Sequence, residues 1–185
     1  MPGYTFHLIP HTHWDREWYL PQSAFQARLV PVLDDLLNRL ESEADSTFLL
    51  DGQTVLVEDY LRVRPEQEPR VRELVRAGRL QVGPWYVLAD ELIPTGESLI
   101  RNLLAGQADA DRLGGRSDVL YSPDAFGHPA VWPQLAGEFG MRFGVLWRGL
   151  GGEPGQERDL YRWRGPDGRE VLLYHLPPGG YEVGA

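Results

Sequence analysis

The sequence of 185 residues contains neither cysteine nor lysine. Without thiols, disulfide bonds and thiolate metal sites are excluded, so a bound metal would have to be held by histidine and carboxylate side chains. All 18 cationic side chains are arginines, and the 27 acidic ones outnumber them to give a formal net charge of -9. This charge argues against nucleic acid and anionic membranes as partners, because both attract a basic protein face.

Long apolar runs are also missing. No stretch approaches the roughly 18 consecutive apolar residues of a membrane span, and residues 1–12 lack the basic start and apolar stretch of a signal peptide. Hydrophobic residues nevertheless make up 42% of the chain, which is enough for one folded domain with a core. We therefore expect a cytoplasmic protein with no membrane partner.

Short apolar segments alternate with stretches of helical periodicity. Leucines between Leu29 and Leu40 recur at helical spacing, with Pro31 expected near the start of that helix. Alternation of this kind predicts an α/β fold with a mostly parallel sheet or barrel, and a ligand site beyond the carboxyl ends of the strands. Strands are predicted at 6–9, 48–50, 80–85, 119–121 and 143–147, then a hairpin at 161–175, and further helices at 54–61, 69–77, 96–113 and 131–139.

Unusual polar and aromatic residues follow the predicted strands at the same edge of the sheet, which predicts an enzyme. The first strand is followed by a His-Thr-His-Trp-Asp segment, in which an extended backbone would bring alternate side chains to one side. These residues are His11, His13 and Asp15 after the first strand, Asp51 after the second, Trp85 at the end of the third, Asp124 after the fourth and Arg148 after the fifth.

Two imidazoles and a carboxylate on one side could bind a divalent metal such as zinc. The alternative is a pair of surface histidines beside a helix-capping aspartate. A further ligand would have to come from elsewhere in the chain, and Asp124 is the candidate, although an aspartate before a glycine-containing turn can also serve only as a cap.

The aromatic residues also allow two interpretations. Trp132 and Trp163 are expected to pack in the core, whereas Trp18 lies among charged residues after a strand and could stack against a sugar ring. Arg148 ends an apolar strand, where it would require a carboxylate partner unless its head reaches solvent.

Taken together, these motifs resemble the N-terminal catalytic domain of glycoside hydrolase family 38, the α-mannosidases, with the bacterial members most similar. The resemblance extends from about Phe6 to Tyr181, and the motifs occur in the same order. Four segments carry it: His11–Tyr19, Val82–Tyr86, Gly96–Leu103 and Asp124–His128.

The resemblance implies a zinc-dependent α/β barrel that hydrolyses α-mannosides with retention of configuration. By position, His13 and Asp15 resemble the zinc ligands, with His11 in a supporting role, and Asp124 resembles a catalytic nucleophile that also binds the metal. The residues that resemble those lining the sugar site are Trp18, Phe126, Arg148 and Tyr181, the last followed by Glu182 where animal members have aspartate.

In the family, the fourth zinc ligand is a histidine far downstream and the general acid is an aspartate also beyond this region. Residues 1–185 are therefore expected to form the N-terminal part of a single catalytic domain with an incomplete barrel. Two other functions stay open: a metal-dependent polysaccharide deacetylase, and a catalytically incomplete carbohydrate-binding piece. Exposed strand edges would favour association into a homo-oligomer.

Overall fold

A computed structural model describes residues 3–5, 7–151 and 158–182 of the chain. Helices and strands alternate through most of this length, as the sequence predicts. The helices are α1 (Gln22–Ser42), α2 (Val55–Val63), α3 (Glu68–Arg76), α4 (Gly96–Leu113) and α5 (Trp132–Glu138), with short 3-10 turns at Pro65–Gln67 and Gly180–Glu182. The strands are β1 (His11–Thr12), β2 (Phe48–Leu50), β3 (Leu80–Gln81), β4 (Val119–Ser122), β5 (Phe143–Leu146), β6 (Leu160–Arg164) and β7 (Glu170–His175).

The strands form two sheets. The first has the order β1-β2-β3 and is entirely parallel. The second has the order β4-β5-β7-β6, in which only β6 is antiparallel to its neighbour, so that β6 and β7 form the predicted hairpin. The prediction of a mixed α/β fold with mainly parallel strands is therefore confirmed. A closed barrel is not confirmed, because the hydrogen-bonded sheets of the described residues remain separate and open.

The first strand differs most from its prediction. Residues 7–10 are not in a strand, and β1 instead consists of the two residues that follow, which pair with Leu49 and Leu50. Leu8 and Ile9 are 87% and 64% exposed, because no layer of the described chain packs over this apolar run. Phe6, the first residue of the predicted strand, lies outside the described residues.

The third strand and the first helix also differ from expectation. The third strand ends at Gln81 rather than Trp85, whose backbone keeps only an isolated bridge to Gln53. Helix α1 begins at Gln22, well before the predicted region, so Pro31 lies inside the helix and not near its start. Apolar spacing located this helix correctly but did not reveal its polar first turns.

Two apolar clusters stabilise the fold. The first joins α1, α2 and α3 to the first sheet. The second surrounds Trp85 and Trp132. The core prediction is confirmed for Trp132, whereas Trp163 is partly buried and stacks on Trp132 at the edge of the cluster, with ring centroids 5.3 Å apart. None of the described helices has the length and apolar character that crossing a membrane requires.

Candidate active site

His13 lies just beyond β1, and its ring orientation is fixed by Asp51, just beyond the neighbouring strand β2. The His13 Nδ1 is 3.1 Å from Asp51 Oδ1. Asp51 is fully buried and adopts a left-handed backbone conformation with φ 47°, and its Oδ2 accepts hydrogen bonds from Trp14 N and Gln53 Nε2, both at 2.7 Å. With its Nδ1 engaged in this way, the imidazole directs Nε2 toward the ends of the other strands.

The three predicted metal ligands converge around that nitrogen. His13 Nε2 lies 3.6 Å from Asp15 Oδ1 and 3.5 Å from Asp124 Oδ2, and it is buried without a hydrogen-bond partner. Two ligand atoms at about 2.1 Å from one tetrahedral zinc ion would lie roughly 3.4 Å apart, so these separations fit a shared cation. Across the described residues no group of three or more histidine, aspartate or glutamate side chains is placed so that it could hold a metal ion, so these three side chains approach one another without forming a complete site.

The charges around His13 also favour a cation. Burial lowers the pKa of His13, but the hydrogen bond and charge of Asp51, followed by the charges of Asp15 and Asp124, more than offset it and the net pKa is raised. Burial raises the pKa of Asp51 despite the opposing effect of His13. Three carboxylates around one imidazole thus produce a negative site that a divalent ion would neutralise.

Arg148 places a positive charge beside Asp124. Its Nε is 2.8 Å from Asp124 Oδ1, a close ion pair whose alignment does not meet hydrogen-bond geometry, so that this buried oxygen still lacks a hydrogen bond. The Arg148 guanidinium carbon lies 4.4 Å from the ring centroid of Trp147 and 5.2 Å from that of Phe126. The sequence predicted that Arg148 needs a carboxylate, and the structure places Asp124 beside it.

Of the remaining predicted site residues, Tyr181 and Phe126 lie close to the three predicted ligands, whereas Trp18 does not line the same cleft. The ring centroid of Tyr181 is 4.5 Å from that of His13, and burial followed by the charge of Asp124 raises the pKa of Tyr181 to about 12. Phe126 is 65% exposed and lines a cleft of about 170 Å³ together with His13, Asp15 and Asp124. Trp18, in contrast, is 74% exposed, packs edge-on against Tyr19 and does not line this cleft.

Other residues of the region have roles that the sequence did not assign. His11, for which the resemblance implied a supporting role, lines a cavity between the two sheets, and its Nδ1 is buried without a partner. Asp90 lines the cleft and accepts a hydrogen bond from Phe126 N at 3.1 Å. Asp51 was recognisable as a strand-end residue, but its bond to His13 depends on a register between β1 and β2 that no local pattern specifies.

Comparisons with known proteins agree on one family. The family model described as "Glycosyl hydrolases family 38 N-terminal domain" matches residues 3–185. The chain is 39% identical over 180 residues to the "Putative mannosylglycerate hydrolase" of Halalkalibacterium halodurans, covering 91% of this chain and 20% of the relative. It is 28% identical to the "Alpha-mannosidase 2C1" of Mus musculus, covering 95% of this chain and 17% of the relative.

A solved structure agrees with these sequence relatives. The structure of an α-mannosidase from Enterococcus faecalis superimposes with a TM-score of 0.88 at 33% identity, covering 94% of this chain and 20% of that chain. The chain thus spans about a fifth of the length of the proteins that it matches.

Proposed function

Because the chain belongs to the glycosyl hydrolase family 38 N-terminal domain family, we propose that it carries the metal site and nucleophile of a retaining, zinc-dependent α-mannosidase. The observation that carries the proposal is the unpartnered Nε2 of His13 between the carboxylates of Asp15 and Asp124, with Arg148 on the latter. We further propose that residues 1–185 are the N-terminal part of one longer catalytic domain whose complete sheet closes into a barrel.

His13, Asp15 and Asp124 would hold the zinc ion, and their donor atoms suit it because histidine nitrogen and carboxylate oxygen are common zinc ligands. When bound, zinc would coordinate sugar hydroxyls and favour distortion of the ring toward the transition state. Asp51 contributes by keeping Nδ1 of His13 engaged, so that Nε2 remains available as the ligand atom.

The chemistry assigned to this chain is nucleophilic attack by Asp124. Its carboxylate oxygen forms a bond to the anomeric carbon while the bond from that carbon to the leaving oxygen breaks, and the electron pair goes to the leaving oxygen. A general acid contributed by the rest of the domain protonates that oxygen, and water then hydrolyses the glycosyl ester. Arg148 directs the carboxylate and compensates its charge at a distance of 2.8 Å.

We propose terminal α-mannosyl linkages of glycans or oligosaccharides as the substrate class. A relative named for mannosylglycerate hydrolysis adds mannosylglycerate as a specific compound to assay. The exposed ring of Phe126 at the cleft offers an apolar surface for one face of the sugar.

The test is Asp124→Ala in the protein at its full natural length, assayed with an aryl α-mannoside. We expect a loss of at least about 10³-fold in kcat, since one side chain acts as both nucleophile and ligand. Asp35→Ala, on an exposed surface of α1, is the control and should retain full activity. A loss of less than about tenfold, or roughly 1.4 kcal/mol of barrier, would contradict the nucleophile assignment.

A second measurement separates this reaction from deacetylation. A 2-deoxy-2-fluoromannosyl fluoride should leave a covalent sugar on the peptide that contains Asp124, detected by mass spectrometry. A metal-dependent deacetylase activates water and forms no such adduct. Release of acetate from an acetylated polysaccharide without an adduct would establish the alternative.

A further inference from the structure

Two histidine side chains form hydrogen bonds with backbone carbonyl groups directly after β5, in the segment that contains Arg148. His175 Nε2 lies 2.8 Å from the carbonyl oxygen of Trp147, and His128 Nε2 lies 3.0 Å from the carbonyl oxygen of Arg148. A carbonyl oxygen only accepts hydrogen bonds, so the Nε2 of each imidazole carries the proton. Because β5 ends at Leu146, these two carbonyls lie beyond the strand ladder.

The ring of His128 is itself held by Glu91, and both side chains are buried. His128 Nδ1 lies 2.9 Å from Glu91 Oε2. The other carboxylate oxygen accepts hydrogen bonds from Ser122 Oγ and from Trp132 Nε1, the latter at 3.1 Å. A buried carboxyl group with three hydrogen-bond partners is rigid and costly to displace, so it fixes the imidazole in one orientation.

We propose that His128, fixed by Glu91, and His175 are positioning residues that hold the backbone of Trp147 and Arg148 so that the guanidinium stays on Asp124. The proposal rests on the proposed function, in which Asp124 is the nucleophile. None of these three residues enters the cleft lining, so their effect on the reaction is exerted through Arg148.

The local backbone explains why such support is needed. Among the described residues, the other backbone hydrogen bond between Arg148 and the segment around Asp124 is long, at 3.4 Å from the Arg148 N–H to the carbonyl oxygen of Pro123. The next residue, Gly149, has a left-handed φ of 75° and passes so near Gly127 that a Cβ would lie 2.5 Å from its nitrogen. A small shift where Gly149 passes Gly127 would therefore move the Arg148 side chain relative to Asp124.

Two amide substitutions of His128 separate positioning from packing. Asparagine places its amide near Nδ1, keeping the bond to Glu91 and leaving the Arg148 carbonyl without a donor. Glutamine places its amide near Nε2, keeping the bond to the carbonyl and losing the one to Glu91. Both remove the ring contacts with Trp132 and Trp163, whose centroids lie 6.1 and 6.3 Å away. Asparagine leaves the larger cavity, so packing alone predicts a greater loss of stability for His128→Asn, but no displacement of the Arg148 guanidinium from Asp124.

In the protein at its full natural length, His128→Asn should lower kcat on an aryl α-mannoside by about 10²-fold with little change in KM, because small misplacements of a catalytic group cost this much. His128→Gln should retain at least about tenfold more of the kcat than His128→Asn. His7→Asn, a histidine substitution on the exposed N-terminal segment, is the control and should match the wild type.

Crystal structures of both variants provide a readout that does not depend on activity. In His128→Asn the Arg148 guanidinium should leave Asp124, and in His128→Gln it should remain. Equal losses of kcat in the two variants, or an arginine still on Asp124 in His128→Asn, would overturn the proposal.

Two further outcomes are distinguishable. A wild type inactive on α-mannosides would refute the proposed function, while the crystal structures would still decide the positioning role. If His128→Asn does not fold, His175→Asn and His175→Gln repeat the comparison at the Trp147 carbonyl, where asparagine should again cost more than glutamine, and equal effects there would refute the proposal.

Discussion

At the scale of single residues, Asp51 determines how His13 presents itself to the cleft. Its two carboxylate oxygens are fully engaged, one with the imidazole and the other with Trp14 N and Gln53 Nε2. The left-handed backbone at this position accommodates only a few residue types, aspartate and asparagine among them. This allows the charge of Asp51 to be removed while the shape of the turn is kept.

We predict that Asp51→Asn weakens zinc binding by about 10- to 100-fold, since partners that orient a metal-binding histidine contribute this much. The amide would also direct a donor toward Trp14 N and Gln53 Nε2, which both donate already. Zinc affinity measured by competition with a chelator checks the prediction. Asp35→Asn, at an exposed position of α1, is the control, and an Asp51→Asn affinity within twofold of that control would contradict the prediction.

For Trp18 we predict an effect on substrate affinity without an effect on stability. The side chain is 74% exposed, so Trp18→Ala should leave the melting temperature nearly unchanged, whereas truncation of a buried tryptophan costs about 3–5 kcal/mol. A role in the sugar site would raise KM several-fold. Unchanged KM together with unchanged stability would remove Trp18 from the site.

The sequence was sufficient to predict those site residues that lie just beyond the ends of strands. His13 and Asp15 follow β1 and Asp124 follows β4, and in α/β folds the ligand site lies beyond the carboxyl ends of the strands. The supporting contacts were not accessible in this way. Glu91 lies in an irregular segment whose partners are distant along the chain, so its burial against His128 follows only from tertiary packing.

At the scale of elements, α4 shows how closely the helices pack on the chain segments before them. Thr95 caps its start by accepting a hydrogen bond from Ser98 N at 3.2 Å, and Gly114 ends it in a left-handed conformation. Gly106, in the middle of this helix, faces the backbone of residues 84–86 so closely that a Cβ would lie 2.5 Å from Tyr86 N. The glycine therefore sets the distance between α4 and the end of the first sheet.

We predict that Gly106→Ala lowers the free energy of unfolding by about 1–3 kcal/mol, the usual cost of overpacking. An exposed helical glycine would show the opposite sign, because alanine is the better helix former. Gly96→Ala is the matched control at the start of α4, where no atom lies within 4 Å of the added Cβ. Denaturant unfolding of both variants decides the matter, and equal stabilities would show that the contact can relax.

Apolar periodicity predicted most of the helices and the strands of the second sheet, because those elements bury one regular face. The strand prediction was wrong for residues 7–9, where the apolar run is exposed. It was also wrong for residues 82–85, which are not part of the sheet and whose last residues pack against Gly106 of α4. Both errors concern segments whose surroundings come from distant parts of the chain.

At the scale of the whole molecule, the described chain offers an exposed apolar segment beside a strand edge. Leu8 and Ile9 precede β1, which pairs with β2 on one side in the described structure. Exposed apolar edges favour association with another chain.

We therefore predict that residues 1–185 alone bind zinc weakly, show no measurable mannosidase activity and self-associate. Three ligands can still converge, but this piece has no assigned general acid, and general acid catalysis contributes about 10²–10⁴-fold. Zinc titration, light scattering and an aryl α-mannoside assay check these outcomes. Turnover that a chelator abolishes would place the acid within these residues.

The non-local origin of the site also has a consequence during synthesis. His13, Asp124 and Arg148 come from three strand ends spread over most of the chain, and a metal site of this kind does not exist before its strands pair. A nascent chain on the ribosome displays His13 and Asp15 early but lacks Asp124 until β4 has emerged, and lacks Arg148 until after β5. Under the proposed function, metal loading would therefore be a late event in the life of the polypeptide, and the early segment would be free of a cation while the first sheet folds.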